Sequence, residues 1–212
     1  PGAFSLPGDV SSQYISGLLM ALPLLDEASS LTVTGQMESA AYIAMTESVL
    51  NRGGIALRRS GSVWHIPGGQ RCRFPADIRA EGDWSNAAFW LCAGAIGTAP
   101  ITVEGVSLSS AQGDRNVLAA LSRFGARIVR STNAATVQSD KLAGFEMSAH
   151  DIPDLVPVIS AVASLAQGRT FIRDCARLRI KESDRLATTT RELTALGAQV
   201  RVAESPLFEP EA

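Results

Sequence analysis

Three copies of one pattern, spaced at a constant interval, constrain this chain more than any other feature. Ser30 to Gly35, Pro100 to Gly105 and Arg169 to Asp174 are alternating, β-branched runs that read as strands. They recur with a period of about seventy residues, the mark of a repeated structural unit. A second marker keeps the same period. Leu50 to Gly54, Leu121 to Gly125 and Leu193 to Gly197 each close a helical pattern on a glycine, where a helix end calls for positive φ. Ile55–Arg58, Arg127–Arg130 and Gln199–Val202 follow and read as strands. A third marker opens each unit: Gly8 to Ser12, Gly82 to Asn86 and His150 to Asp154, with Ser, Asn, Asp or Pro at a helix start. The runs leading into Gly8 and Gly82 are strand-like.

Each unit therefore reads βαβαββ, with crossovers expected to be right-handed. The first helix of each unit is apolar on most sides: Ile15 to Leu25, Ala87 to Ile96 and Leu155 to Ala166. Such helices belong inside. The predicted fold class is mixed α/β (α+β): three βαβαββ units with buried helices and sheets outside, an inside-out α/β barrel type. The turn-rich stretch from Pro67 to Gln70, followed by Phe74 to Asp77, is the predicted boundary. It assigns 1–77 to one unit of a first lobe and 78–212 to two units of a second, the last either whole or incomplete.

Composition removes several functions. With 19 basic and 21 acidic residues, net charge −2, no basic excess points to nucleic acid. An anionic ligand must be met by local charge. Cys72, Cys92 and Cys175 are odd in number and far apart, which fits neither zinc spacing nor a disulfide framework and implies a reducing, cytoplasmic setting. His65 and His150 alone cannot build a histidine-rich metal site. The longest apolar stretch, near Leu18 to Leu25, holds Pro23 and is too short for a bilayer, and no secretory signal is visible. The chain opens on Pro1 and stops at Ala212, which suggests a piece of a longer protein.

Four constellations can carry chemistry. Ser11, Ser12 and Gln13 sit at a helix start, where free N–H groups and the helix dipole suit phosphate; a plain serine cap explains the same spacing. Glu38, Ser39 and Tyr42 open the next helix and either reach a hydroxylated ligand or simply cap and pack. Asp154 heads an apolar helix, as a cap or as an acid–base group at a cleft rim. The run Arg179-Ile180-Lys181-Glu182-Ser183-Asp184-Arg185 is either a self-neutralising surface segment or the cations and carboxylate that hold a phosphorylated substrate and move a proton beside it.

Together these runs resemble the 5-enolpyruvylshikimate-3-phosphate synthase family. The match rests on Gly8 to Gln13, Ser39 with Tyr42 and Ile43, Asp83, Gln112 to Asp114, Ile152 to Asp154 and Arg179 to Arg185, in the family's order over nearly the whole chain. The resemblance implies two domains of three βαβαββ units, and transfer of the enolpyruvyl group of phosphoenolpyruvate to the 5-hydroxyl of shikimate 3-phosphate, with phosphate released and no metal or organic cofactor. By the same resemblance Ser11, Ser12 and Ser39 hold the phosphate of shikimate 3-phosphate, and Gln13 and Tyr42 contact its ring side. Lys181 and Arg185 bind phosphoenolpyruvate. Asp154 and Glu182 transfer protons, with Lys181 as a partner. Arg177 aligns with a substrate-side position of varying residue type.

Departures from the family pattern bear on completeness. The family's early lysine-serine motif and arginines would precede Pro1, and a further basic pair would follow Ala212. By resemblance the chain is roughly the middle half and needs the remainder of the enzyme as its partner. Arg52-Gly53-Gly54 stands where phenylalanine-glycine is usual. Two other readings are a UDP-N-acetylglucosamine enolpyruvyl transferase, which lacks the two best-matched runs, and a non-catalytic ligand-binding fragment.

Overall fold

The structure is a computed structural model and describes residues 1–37 and 40–203. The chain divides into two compact units: Pro1–Asp83 with Ser107–Gly113, and Trp84–Val106 with Asp114 onward.

The first unit runs β1 (Gly2–Pro7), α1 (Ser12–Ala21), β2 (Ser29–Thr34), α2 (Ala40–Arg52), β3 (Arg58–Ser60) and β4 (Val63–Ile66). Its sheet has the order β1-β2-β4-β3. β1 and β2 are parallel, with Gly2 opposite Ser29 and Pro7 opposite Thr34. Parallel neighbours need a crossover, and α1 supplies it. Both other pairings are antiparallel. Alternation along β2 buries Ser29, Leu31 and Val33. Leu31 and Val33 pack on Ile15 and Leu19 of α1, Ile43 and Leu50 of α2, and Trp64 and Ile66 of β4. Each large apolar side chain buried in this way contributes roughly 1.5–3 kcal/mol. Trp64 satisfies its indole N–H on Glu47 Oε1, and the Arg59 guanidinium lies 4.5 Å from the ring centroid.

The second unit runs α3 (Trp84–Ile96), β5 (Ile101–Glu104), α4 (Val117–Phe124), β6 (Arg127–Ser131), β7 (Ala134–Gln138), β8 (Glu146–Ser148), α5 (Val156–Ala163), β9 (Phe171–Arg173) and α6 (Arg185–Ala195). β5, β7 and β6 form an antiparallel sheet, and β8 pairs with β9 in parallel. α3 buries Trp84, Ala87, Ala88, Leu91, Cys92 and Ala95. Gly94 lets it approach β7 closely: a Cβ there would lie 2.6 Å from the Val137 carbonyl oxygen. The same helix leaves Phe89 and Trp90 exposed. Gly54, Gly125 and Gly197, predicted at helix ends, have φ of 78°, 104° and 93°.

The element order differs from the repeat pattern in three places. The run leading into Gly82 and residues 199–202 are not in strands, and β3 begins at Arg58 rather than spanning Ile55–Arg58. Among the described residues neither run has a ladder partner, and an extended run becomes a strand only when a neighbour takes its N–H and C=O groups. Among the described residues no helix is long and apolar enough to cross a membrane.

Candidate functional site

Among the described residues each unit contains one parallel strand pair, and each pair launches two helices from its C-terminal ends. In the first unit those helices are α1 and α2. The β1–β2 ladder runs one step past the strands, with Gly8 N–H donating to the Thr34 carbonyl at 2.8 Å. Only glycine fits here, since a Cβ would lie 2.7 Å from Gln36 O and 2.9 Å from Val33 Cγ1. The chain then turns through Ser11, extended at φ −162° and ψ 130°, whose Oγ accepts the Gln13 N–H at 3.2 Å. Ser11 is thus the N-cap of α1. Ser12 behind it is buried, while Gln13 and Tyr14 are exposed. Tyr42 lies half-buried near the start of α2. The Ser16 and Thr46 hydroxyls join the two helices at 2.8 Å, and Thr46 Oγ1 donates to the Tyr42 carbonyl at 3.0 Å. The unit thus brings the starts of α1 and α2 to one end of β1 and β2. Ser39 and Glu38 lie outside the described residues.

In the second unit the pair is β8 and β9, and the helices are α5 and α6. Asp154 sits in the 3₁₀ turn Pro153–Leu155 that leads into α5. A second 3₁₀ turn, Ala176–Ile180, leads from β9 to Lys181. Leu178 of that turn is wholly buried with Ala149 and Val156, which seats the loop on the core below the site. Asp184 caps α6, its Oδ1 accepting the Ala187 N–H at 3.0 Å, and it also pairs with Arg179 at 3.4 Å. The cap fixes where Arg185 begins to project.

The side chains converge on Arg185. Its Nη1 donates to Asp154 Oδ1 at 2.6 Å and its Nη2 to Glu182 Oε2 at 2.7 Å. Lys181 Nζ lies 3.5 Å from the same Asp154 oxygen. Asp154, Lys181 and Arg185 are about three-quarters buried at their side chains, whereas Glu182 is 76% exposed. Burial pulls the Arg185 guanidinium down, but the Glu182 hydrogen bond and the two carboxylates outweigh it and hold it above its ordinary value. The Glu182 carboxyl is held below the usual glutamate range, first by its own backbone N–H and then by Arg185. Two cations and two carboxylates nearly cancel, so an entering anion competes with Asp154 and Glu182 for Lys181 and Arg185. The arrangement can bind a phosphorylated or carboxylated ligand through a forked guanidinium and an ammonium, with a carboxylate at hand for protons.

Four residues that shape these two loop clusters were missed in the sequence. Asp184 belongs to the charged run, and its place immediately before the helix that opens at Arg185 marks it as a cap. The Ser16–Thr46 pair had no sequence signal, since two hydroxyls that far apart meet only in the fold. Asp174 ends the third strand run at the position of Gly35 and Gly105, a correspondence visible in the sequence.

Comparison with known proteins gives concordant results. The family model for EPSP synthase (3-phosphoshikimate 1-carboxyvinyltransferase) matches residues 2–210. A 3-phosphoshikimate 1-carboxyvinyltransferase of Clostridium kluyveri is 41% identical over 207 residues, covering 98% of this chain and 48% of its own length. The chain spans about half the length of the curated relatives it matches. The solved EPSP synthase of Acinetobacter baumannii superposes with a TM-score of 0.71 at 24% identity, over 90% of this chain and 44% of that one. The enolpyruvyl transferase NikO of Streptomyces tendae gives 0.60 at 17% identity, over 81% and 44%. Both structures share with this chain a mixed α+β fold.

Proposed function

The chain belongs to the EPSP synthase family, and on that premise we propose that the protein it forms part of transfers the enolpyruvyl group of phosphoenolpyruvate to the 5-hydroxyl of shikimate 3-phosphate. The observation that carries this reading is the cluster of Asp154, Lys181, Glu182 and Arg185 at the ends of β8 and β9. Lys181 and Arg185 anchor phosphoenolpyruvate. Ser11 and Ser12 at the start of α1, together with Ser39, take the phosphate of shikimate 3-phosphate, and Gln13 and Tyr42 contact its ring side.

In the reaction the methylene carbon of phosphoenolpyruvate gains a proton and positive charge develops at the enol carbon. The 5-hydroxyl loses its proton as its oxygen bonds to that carbon. Phosphate then leaves, and loss of a methyl proton restores the double bond. Asp154 and Glu182 handle these protons with Lys181 as partner, and their charge stabilises the cationic carbon. Glu182, kept ionised by its own backbone N–H and Arg185, acts as an acceptor.

The finer architecture belongs to the same reading. The unit 1–77 lies in one lobe, and the two units in 78–212 lie in the other. Helices are inside and sheets outside, as an inside-out α/β barrel. The protein works in the cytoplasm, and this chain alone, at half the relatives' length, is inactive.

The test is phosphate release by the complete protein with both substrates. Release should require both, and Asp154→Ala or Glu182→Ala should each slow it by about 100-fold or more. Unchanged turnover in both variants removes the roles assigned here. No release by the complete wild-type protein removes the reaction.

A further inference from the structure

We propose that Asp174 is a positioning residue, whose side chain ties the loop carrying Asp154 to the loop carrying Lys181, Glu182 and Arg185. For its consequence in catalysis, the inference rests on the reaction proposed above.

Asp174 has φ of 60° and is the one non-glycine residue with positive φ among the described residues. An L side chain disfavours this region, and such an outlier persists where the surroundings hold it. The turn itself does not require an aspartate. At the two matched strand-ending positions the chain uses Gly35 at φ 71° and Gly105 at φ 81°. A Cβ at either would meet nothing within 4 Å. All three positions therefore ask for left-handed backbone, and glycine meets that demand twice. The third keeps a side chain against a conformational cost.

That side chain has a definite partner. Ser148 Oγ donates to Asp174 Oδ2 at 2.5 Å and accepts the His150 N–H at 3.2 Å. Ser148 is the last residue of β8, and Asp174 follows the last residue of β9. Ser148 lies in register with Arg173, and Ala149 N–H donates to the Arg173 carbonyl at 2.9 Å. The Ser148–Asp174 bond thus closes the parallel pair at the point where its two loops diverge. One loop leads to Asp154 and the other, through buried Leu178, to Lys181 and Arg185. A shift of one loop against the other opens the 2.6 Å contact between Asp154 and Arg185.

Three variants of the complete protein test this: Asp174→Gly, Asp174→Asn and Ser148→Ala. Glycine accepts the backbone conformation without strain, so it removes the carboxylate alone. Asparagine tolerates the same φ and keeps an acceptor oxygen. Asp174→Gly and Ser148→Ala should each raise KM for phosphoenolpyruvate and lower kcat, with kcat/KM falling about 10- to 100-fold, the scale of a small misplacement. Both should speed amide exchange in segments 149–154 and 175–181 together, and Asp174→Asn should restore kinetics and exchange. Wild-type KM and exchange in Asp174→Gly, or an asparagine variant no better than the glycine one, would overturn the proposal. The exchange measurement needs no substrate. If the wild-type protein proves to have no enolpyruvyl transfer, exchange alone decides the tie, and the failure lies with the reaction.

Discussion

Arg185 makes two hydrogen-bonded ion pairs of nearly equal length, 2.6 Å to Asp154 and 2.7 Å to Glu182. If contact distance set the strength of an ion pair, the two would be equal. Exposure separates them. Asp154 and Arg185 side chains are each 26% exposed, and Glu182 is 76% exposed. At an effective dielectric of about 20, unit charges 2.6 Å apart attract by roughly 6 kcal/mol before desolvation and ordering. Exposed pairs retain about 0–1 kcal/mol of such attraction, while removing one partner of a buried pair costs about 3–5 kcal/mol. A pair three-quarters buried falls between, so a coupling of about 1–2 kcal/mol is expected for Asp154 with Arg185. The Glu182 coupling should be clearly smaller. Double-mutant cycles built from Asp154→Ala, Glu182→Ala and Arg185→Ala measure both, through native-state hydrogen exchange of α5 amides in rising urea. High salt should erase the Glu182 coupling first, because screening acts on exposed charge. Equal couplings, or a larger one for Glu182, would refute the argument that burial ranks these contacts.

Two further outcomes are expected, one in each unit. Gly8→Ala drives a methyl against Gln36 O and Val33 Cγ1, and urea denaturation should show the first unit destabilised by about 1–3 kcal/mol, with an unchanged midpoint refuting the tight fit. Because the Glu182 carboxyl is depressed in the folded protein, its contribution is complete above the ordinary glutamate value and is lost as pH falls through the lowered one. The acid limb of turnover should therefore lie below the usual glutamate range and disappear in Glu182→Gln, while a limb at or above that range contradicts the assignment.

Several parts of the fold were legible residue by residue. Gly54, Gly125 and Gly197 close helices with positive φ, because a helix end makes that demand locally and only glycine meets it without strain. Ser11 caps α1 as its position before an apolar helix implies. The runs at Ser30 and Pro100 became β2 and β5 because their alternation suits a half-buried face. Asp174 was harder to read. An aspartate in a strand-ending position does not announce left-handed backbone as glycine does, and its partner Ser148 is distant in sequence. Gln199–Val202 carries strand residues but no strand, since a ladder is a property of two segments. Phe89 and Trp90, on a helix read as buried, are exposed, because burial depends on what neighbours supply.

The charged run marks where local information ends. From composition alone, Arg179 to Arg185 could be a solvated face or half of a ligand site, since both need alternating charge. Its local consequences were set within the segment: Asp184 caps α6, and Arg185 reaches Glu182 one turn away. The contact that joins it to the rest of the site was not. Asp154 meets Arg185 across 31 positions of sequence, because parallel β8 and β9 place the starts of α5 and α6 side by side and Leu178 seats the second loop on the same core. Helix caps, turn glycines and strand alternation arise from interactions between near neighbours, and those the sequence by itself determined. Which carboxylate lies against which cation, and how far water reaches them, is set by packing, and only the tertiary structure decided it.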